Sequence, residues 1–166
     1  AAASSTLRLG TCILIVPQRN PLVLAKELAT LDRISGGRVE LGLGVGWLKE
    51  EFDALGVPWE ARGARNDEYV AAMRALWREP HVEFHGKYVD FDKVPGSPRP
   101  VNGSIPVIVG GDTDAALRRA ARHADGYFPG EGDPKKLAEL IGCLHAEAEK
   151  IGRDPAEIKI NIMFGA

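Results

Sequence analysis

The spacing of apolar residues predicts strands that alternate with helices along the chain. The segment Leu7 to Val16 is rich in aliphatic and β-branched residues, which predicts a first strand. Pro21 suits the first turn of a helix, and Leu24, Leu28 and Leu31 then recur at helical spacing on one face. Two glycines end that helix, and Val39 to Leu43 predicts the next strand. Strands joined by a helix of this length are normally parallel.

The middle of the chain predicts two further helices and an excursion from the sheet. A short helix is predicted around Lys49 to Leu55 and a longer one from Ala64 to Arg78. The apolar stripe of the longer helix comprises Tyr69, Val70, Met73, Leu76 and Trp77. His81 to Phe91 predicts a hairpin, and a Pro/Gly/Ser-rich connection follows it, so residues 79–105 are predicted to form an insertion.

The alternation resumes after this insertion. Pro106 to Val109 predicts a short buried strand, a helix follows from Thr113 to His123, and Gly126 to Phe128 predicts another strand. A last helix starts at Asp133-Pro134, and a strand from Ile158 to Met163 follows it. The predicted inward face of that helix comprises Leu137, Leu140, Ile141, Leu144, Ala148 and Ile151.

Five strands separated by helices predict an α/β fold with a parallel sheet. A flavodoxin-like sheet would use about this length, whereas a complete (β/α)8 TIM-type barrel needs about 250 residues. The pattern of elements alone therefore slightly favours the flavodoxin-like arrangement for these 166 residues.

Composition excludes several classes of protein. The 21 Lys and Arg residues nearly balance the 23 Asp and Glu residues, which argues against a nucleic-acid binder. No apolar run approaches the roughly 20 residues of a membrane span, and no signal segment is recognisable. Cys12 and Cys143 form no C-x-x-C pair, which favours a reducing, cytoplasmic location. Residues 1–6 are predicted to be a disordered lead-in, and the abrupt ends indicate a fragment.

Two glycine-rich segments are candidates for chemistry. Gly42 to Trp47 lacks the spacing of the dinucleotide fingerprint, because Trp47 stands where a glycine is required. Its glycines fit either a close approach of backbone to a ring or phosphate, or a tight turn capped by Trp47. Val109 to Thr113 leads into a helix and could bind an anion, but Asp112 or Thr113 could simply cap that helix. Residue chemistry alone favours the capping role.

Other catalytic patterns find little support in the sequence. The four histidines lack metal-ligand spacing, so no metal site is predicted, and no Gly-x-Ser-x-Gly elbow occurs. Asp32-Arg33 and Glu50-Glu51 are interpreted as solvated or salt-bridged helix charges.

Taken together, the ordered motifs resemble the luciferase-like monooxygenase superfamily, especially its coenzyme F420-dependent branch. The residues that carry the resemblance are Leu9 to Ile13, Arg19 to Pro21, Ala29 to Arg38, Leu41 to Trp47, Glu50 to Phe52, Arg62-Gly63, Val109 to Gly111 and Ala124 to Gly126. The resemblance implies a partial (β/α)8 TIM-barrel domain over 1–166 that contains about strands three to seven and the hairpin insertion. The family's catalytic groups then lie mainly on the missing strands, so the catalytic residue is unknown.

The resemblance also implies a cofactor site. Cys12-Ile13 matches a bulge in the family's third strand that often contains a non-prolyl cis peptide behind the central ring. Val45-Gly46-Trp47 matches the segment beside the ring and ribityl chain, although Trp47 stands where some relatives have Glu. Val109-Gly110-Gly111-Asp112 matches the backbone cradle for the cofactor phosphate, which raises the weight of the anion-binding role.

The implied reaction is hydride transfer between coenzyme F420 and an organic small molecule that the sequence does not identify. Two alternatives stay open, an FMN-dependent monooxygenase and a truncated, non-catalytic cofactor-binding or interaction protein. The resemblance further implies a homodimer that pairs through the helices at Pro21 to Ser35 and Ala64 to Arg78.

Overall fold

A computed structural model describes residues 2–162, which divide into two compact units. The first unit contains residues 2–10, 15–40 and 45–105, and the second contains 11–14, 41–44 and 106–162. Residue 1 of the predicted lead-in and Met163 of the predicted last strand lie outside the described residues. Among the described residues, no helix combines the length and apolar character needed to cross a membrane.

The first unit is mainly helical and carries the predicted hairpin. Its elements are β1 (Leu9–Gly10), α1 (Pro21–Ser35), α2 (Lys49–Ala54), α3 (Arg62–Arg78), β4 (His81–His85) and β5 (Asp90–Pro95). Helix α1 begins where the Asn20 side chain accepts hydrogen bonds from the amides of Leu22 and Val23, and it ends at Gly36 with a φ of 73°.

The second unit is built on parallel strands with two helices. Strand β3 (Val39–Gly44) starts in the first unit and ends in the second. The short strand β2 (Leu14–Ile15) starts in the second unit and ends in the first. The remaining elements are β6 (Val107–Gly110), α4 (Asp114–His123), β7 (Gly126–Phe128), α5 (Pro134–Lys150) and β8 (Lys159–Ile160).

The β3–β6, β6–β7 and β7–β8 pairs of the second unit are all parallel. Leu41 and Leu43 of β3 lie beside Val107 and Val109 of β6. Strand β6 pairs in turn with β7, and β7 pairs with β8. Consecutive parallel strands joined by helices confirm the predicted α/β fold.

The first predicted strand is wrong as a continuous element. Only β1 and β2 form within Leu7 to Val16, and residues 11–13 between them leave the strand path. Val16–Gln18 forms a 3-10 turn that carries the chain into α1. The last strand is also shorter than predicted and covers Lys159–Ile160.

Helix α1 buries its apolar face against α3. Leu24 and Leu28 are buried as predicted, but Leu31 is 40% exposed, because its position falls at the edge of that face. Trp77 of α3 is 1% exposed, and its indole Nε1 donates a hydrogen bond to the Ala25 carbonyl at 3.0 Å. This contact fixes the two helices side by side in the first unit.

Asp32 is a buried structural carboxylate, so its interpretation as a solvated helix charge is wrong. It is 3% exposed. One oxygen accepts from the Val39 amide at 3.2 Å and the other from the Val101 amide at 2.8 Å. Backbone donors satisfy the charge in place of water, which lets a carboxylate lie inside the unit. Asp32 thereby connects the end of α1 to the start of β3.

Helix α5 is less buried than its sequence pattern predicts. Leu144 and Ala148 are buried, but Ile151 is 49% exposed, because it lies beyond the last turn that packs on α4. The Arg153 guanidinium donates to the carbonyls of Ala121 and Ala124 at 2.8 and 2.7 Å. These bonds cap the carboxyl end of α4, which favours cations.

Candidate cofactor site

The segment between β1 and β2 contains the backbone feature that the sequence resemblance implies. The peptide bond between Cys12 and Ile13 is cis. The Thr11 hydroxyl donates to the Gly42 carbonyl at 2.7 Å, which holds the segment against β3 in the second unit. Cys12 is exposed and Ile13 is 41% exposed, so both present surface to solvent.

Three glycines make room for this segment. A side chain at Gly42 would overlap the Thr11 carbonyl oxygen, and one at Gly44 would overlap the Ile13 side chain. A Cβ at Gly110 of β6 would lie 3.0 Å from Ile13 Cγ2. Gly42 and Gly44 of β3 are therefore required by the Thr11 backbone and the Ile13 side chain. The sequence had suggested only a bound ring or phosphate, or a tight turn.

The turn between β6 and α4 has an uncovered backbone. Gly111 adopts a φ of 115°, which L residues rarely adopt, and its amide donates to the Phe128 carbonyl at 3.3 Å. The Thr113 hydroxyl accepts from the Ala116 amide at 3.3 Å and caps α4, as predicted. First-turn amides have no intrahelical acceptor, and the helix dipole favours negative charge there.

Asp112 is oriented by two partners from the loop after β7. Its Oδ1 accepts from the Gly130 amide at 2.8 Å and from the Tyr127 hydroxyl at 3.2 Å. Burial first, and then the charge and hydrogen bond of Asp112, raise the pKa of Tyr127 far above its usual range. Asp112 therefore joins two loops of the second unit.

Tyr127 and Gly130 were not among the predicted site residues. The sequence offered one signal for Tyr127, since a buried tyrosine hydroxyl needs a hydrogen-bond partner. Its partner lies 15 residues away, so the sequence alone did not indicate which acceptor it uses.

The segment Val45 to Trp47 belongs to the first unit. Gly46 adopts a φ of 83°, and a Cβ there would lie 2.6 Å from the Phe52 ring. The Gly46 carbonyl accepts from Arg62 Nε at 3.1 Å, and the Arg62 guanidinium lies 3.5 Å from the centre of the Trp59 ring. Trp47 is 82% exposed, so it does not cap the unit's surface.

The predicted site residues thus form two groups. In the second unit, Ile13 lies beside Gly110 of the turn that contains Val109, Gly110, Gly111 and Asp112, and Cys12 precedes Ile13 in the chain. The first unit contains Val45, Gly46 and Trp47, of which Gly46 lies against Arg62 and Phe52. Cofactor contacts by these residues stay predictions.

Comparison with known proteins links the chain to one family. A family model described as luciferase-like monooxygenase matches residues 1–166. A protein of Mycobacterium tuberculosis is 40% identical over 165 residues, which are 99% of this chain and 57% of that protein. The FMNH2-dependent dimethylsulfone monooxygenase of Pseudomonas putida is 32% identical over 155 residues, with 91% of this chain and 42% of that enzyme covered.

Solved structures of a monooxygenase and of an F420-dependent reductase are also similar to this chain. The monooxygenase RslO1 of Streptomyces bottropensis aligns with a TM-score of 0.85 at 30% identity, over 99% of this chain and 51% of its own. The coenzyme F420-dependent tetrahydromethanopterin reductase of Methanopyrus kandleri aligns with a TM-score of 0.84 at 30% identity, over 97% and 50%. The chain spans about half the length of the proteins it matches.

Proposed function

The chain belongs to the luciferase-like monooxygenase family, and from this we propose that its β6–α4 turn binds the phosphate of a deazaflavin or flavin cofactor. We further propose that the whole protein is an oxidoreductase that transfers a hydride between coenzyme F420 and an organic small molecule. The observation that carries the proposal is the glycine turn at Gly110 and Gly111, which lies beside the exposed Ile13.

The residues of this turn fit a phosphate. At Gly110 the absence of a side chain leaves the backbone uncovered, and a Cβ there would press on Ile13. Thr113 caps the Ala116 amide, and the amides of Asp114 and Ala115 before it lack intrahelical acceptors, which makes them donors for an anion. The Asp112 Oδ1 accepts hydrogen bonds from the Gly130 amide and the Tyr127 hydroxyl, which orient the carboxylate toward the loop after β7 and reduce its repulsion of a phosphate.

When bound, the cofactor supplies the hydride chemistry, and the protein contributes binding, orientation and electrostatics. Ile13 offers an apolar surface for a flat ring, and Gly110 keeps that surface clear. The Tyr127 hydroxyl donates a hydrogen bond to Asp112, and burial and this carboxylate raise the pKa of Tyr127 further above neutral pH.

A second candidate function, an FMN-dependent monooxygenase, is supported by the similarity to the dimethylsulfone monooxygenase. The F420 assignment is supported by the F420-dependent reductase, which aligns over nearly the whole of this chain. A truncated, non-catalytic cofactor-binding or interaction protein is the third candidate.

Titration of the protein with F420 and, in parallel, with FMN tests the proposal. We expect saturable F420 binding by fluorescence that Gly110→Val weakens at least about tenfold, since the added methyls displace Ile13 and cover the turn. Gly142→Val is the matched control, because its side chain would meet open space on α5. Circular dichroism of each variant separates lost binding from lost folding, and Gly111→Ala is the second variant if Gly110→Val unfolds.

The alternatives give different results in the same experiment. Tight binding of FMN without F420 would support the monooxygenase. Binding of F420 with equal affinity in Gly110→Val and Gly142→Val would refute the assignment of the turn. Binding of neither cofactor, in this chain and in a longer form of the protein, would support the non-catalytic interaction protein.

We also propose that the protein is a homodimer that pairs through α1. An apolar strip on the outside of this helix contains Val23, Leu31 and Ile34, which are 54%, 40% and 72% exposed. A two-fold axis through the strip would place each copy's apolar residues against the other's. Light scattering at micromolar concentration should give a dimeric mass that Ile34→Asp reduces to a monomeric one. Leu55→Asp, which changes an exposed leucine of the α2 end, should leave the dimer intact.

A further inference from the structure

The hairpin of β4 and β5 has two chemically different faces. Phe84 stacks on Phe91 with ring centres 6.1 Å apart, and Val82 lies opposite Val94. Side chains alternate across a strand, so the residues next to Phe84 and Phe91 lie on the other face, and the register of the pair shifts between Val82 and Phe84. Glu83 and His85 of β4 and Asp90 and Asp92 of β5 are such residues, and all four are exposed.

The ligand atoms of three of these side chains converge. One atom each from Glu83, His85 and Asp92 lies within 4.8 Å of the other two. Two paired strands supply them, and the register that places His85 opposite Asp90 fixes their relative positions. In the part of the chain that the structure describes, no other group of three such side chains comes so close together.

We propose that this outer face of the hairpin binds one divalent transition cation of the zinc class, with Glu83, His85 and Asp92 as ligands. The site lies in the insertion and does not depend on the proposed cofactor function.

The orientation of the His85 ring is the one that a metal-binding imidazole requires. Its Nδ1 lies 2.7 Å from Asp90 Oδ1, and its Nε2 lies 3.4 Å from Asp92 Oδ1. A metal-binding imidazole usually donates its other ring N–H to a carboxylate, which fixes the tautomer and directs the free nitrogen at the cation. Asp90 is in the position of that outer carboxylate, and Nε2 lies 3.4 Å from Asp92, one of the proposed ligands.

The spacing also suits a small tetrahedral cation. Bonds of about 2.0–2.2 Å at tetrahedral angles place two ligand atoms roughly 3.4 Å apart. The separation of His85 Nε2 from Asp92 Oδ1 is 3.4 Å, and Glu83 needs only a side-chain adjustment to complete the set. Three protein ligands leave the fourth position to water or to an external ligand.

The donor set selects among cations. One imidazole nitrogen with two carboxylate oxygens suits Zn²⁺, Co²⁺ or Ni²⁺, whereas Mg²⁺ and Ca²⁺ prefer oxygen alone. Without a cation, the same carboxylates favour protonation of the His85 imidazole. The hydrogen bond to Asp90 raises the pKa of His85 above its usual value. Protons and cation therefore compete for the imidazole, and the charged groups around the ring are Glu83, Asp90 and Asp92.

Isothermal titration with Zn²⁺ alone, at about pH 7.5, tests the site. We expect one saturable micromolar site per chain. His85→Ala and Asp92→Asn should each weaken it at least about tenfold, and Asp90→Asn, which removes the orienting carboxylate, by about 10–100-fold. Lowering the pH to about 5.5 should weaken binding, because the imidazole is then protonated.

Matched controls make the result decisive. His145→Ala removes a histidine of α5 and should leave the Zn²⁺ affinity unchanged, and Mg²⁺ should produce no saturable heat. Circular dichroism checks that each variant is folded, and Co²⁺ absorption reports the coordination geometry as a second readout. Absence of a micromolar site in the parent protein, or an unchanged affinity in both His85→Ala and Asp92→Asn, would overturn the proposal.

Discussion

Replacement of Trp77 by alanine is expected to lower the free energy of unfolding of the first unit by about 3–5 kcal/mol. The indole is 1% exposed and fills the space between α3 and α1. Its loss removes a large buried apolar surface and leaves a cavity that the packed helices close only in part. It also removes the hydrogen bond from Nε1 to the Ala25 carbonyl. Urea denaturation followed by circular dichroism measures the change.

Two further variants separate the contributions to this effect. Trp77→Phe keeps much of the apolar bulk and loses the hydrogen bond, so a smaller loss of about 1–2 kcal/mol is expected. Trp47→Ala is the matched control, since Trp47 is 82% exposed and its replacement should change stability by less than about 0.5 kcal/mol. Equal effects of Trp77→Ala and Trp47→Ala would contradict the packing described for α1 and α3.

The helices were the most predictable part of the fold, because their signals are local. Helix α1 covers Pro21–Ser35, between the Asn20 cap and the left-handed Gly36, which are the kinds of residue that mark helix ends in a sequence. The start of α5 after Asp133 follows the same logic. Burial was less predictable at helix edges, where Leu31 and Ile151 are exposed, because it depends on neighbours that periodicity does not identify.

The interruption of the first strand could not be predicted from apolar pattern. Residues 11–13 are as apolar and β-branched as the strands around them. The Thr11 hydroxyl bonds there to the Gly42 carbonyl, 31 residues away, a contact that the local pattern does not indicate. Resemblance to a family, rather than residue propensity, identified Cys12-Ile13 as a special position, and the bond between them is cis.

Contacts between residues distant in the chain also limited how well the sequence could predict possible sites. Gly42, Gly44 and Gly110 stood out as glycines, but the Thr11 and Ile13 atoms that require them become visible only when the strands are assembled. The histidines lacked metal-ligand spacing along the chain, and the proposed zinc ligands come together through the β4–β5 register instead. Spacing rules detect sites built within one element and miss those built across paired strands.

Substitution of Gly42 by valine is expected to destabilise the second unit by more than about 3 kcal/mol. A Cβ at this position would overlap the Thr11 carbonyl oxygen and lie 3.1 Å from the Thr11 carbonyl carbon. The obstacle is backbone rather than a flexible side chain, so relief requires residues 11–13 to move away from β3. That movement breaks the 2.7 Å bond from the Thr11 hydroxyl to the Gly42 carbonyl and shifts Ile13, the apolar surface proposed to face the cofactor ring.

Valine at Gly10 provides the control for this substitution, since a Cβ there meets no atom within 4 Å and valine favours strands. Thermal unfolding by circular dichroism should show a large drop in Tm for Gly42→Val and little change for Gly10→Val. Where Gly42→Val remains folded at low temperature, F420 or FMN binding should weaken together with the loss of stability, because one displaced segment causes both. A Gly42→Val protein as stable as Gly10→Val would mean that Thr11 does not lie against β3. The explanation given for all three glycines around Ile13 would then be wrong.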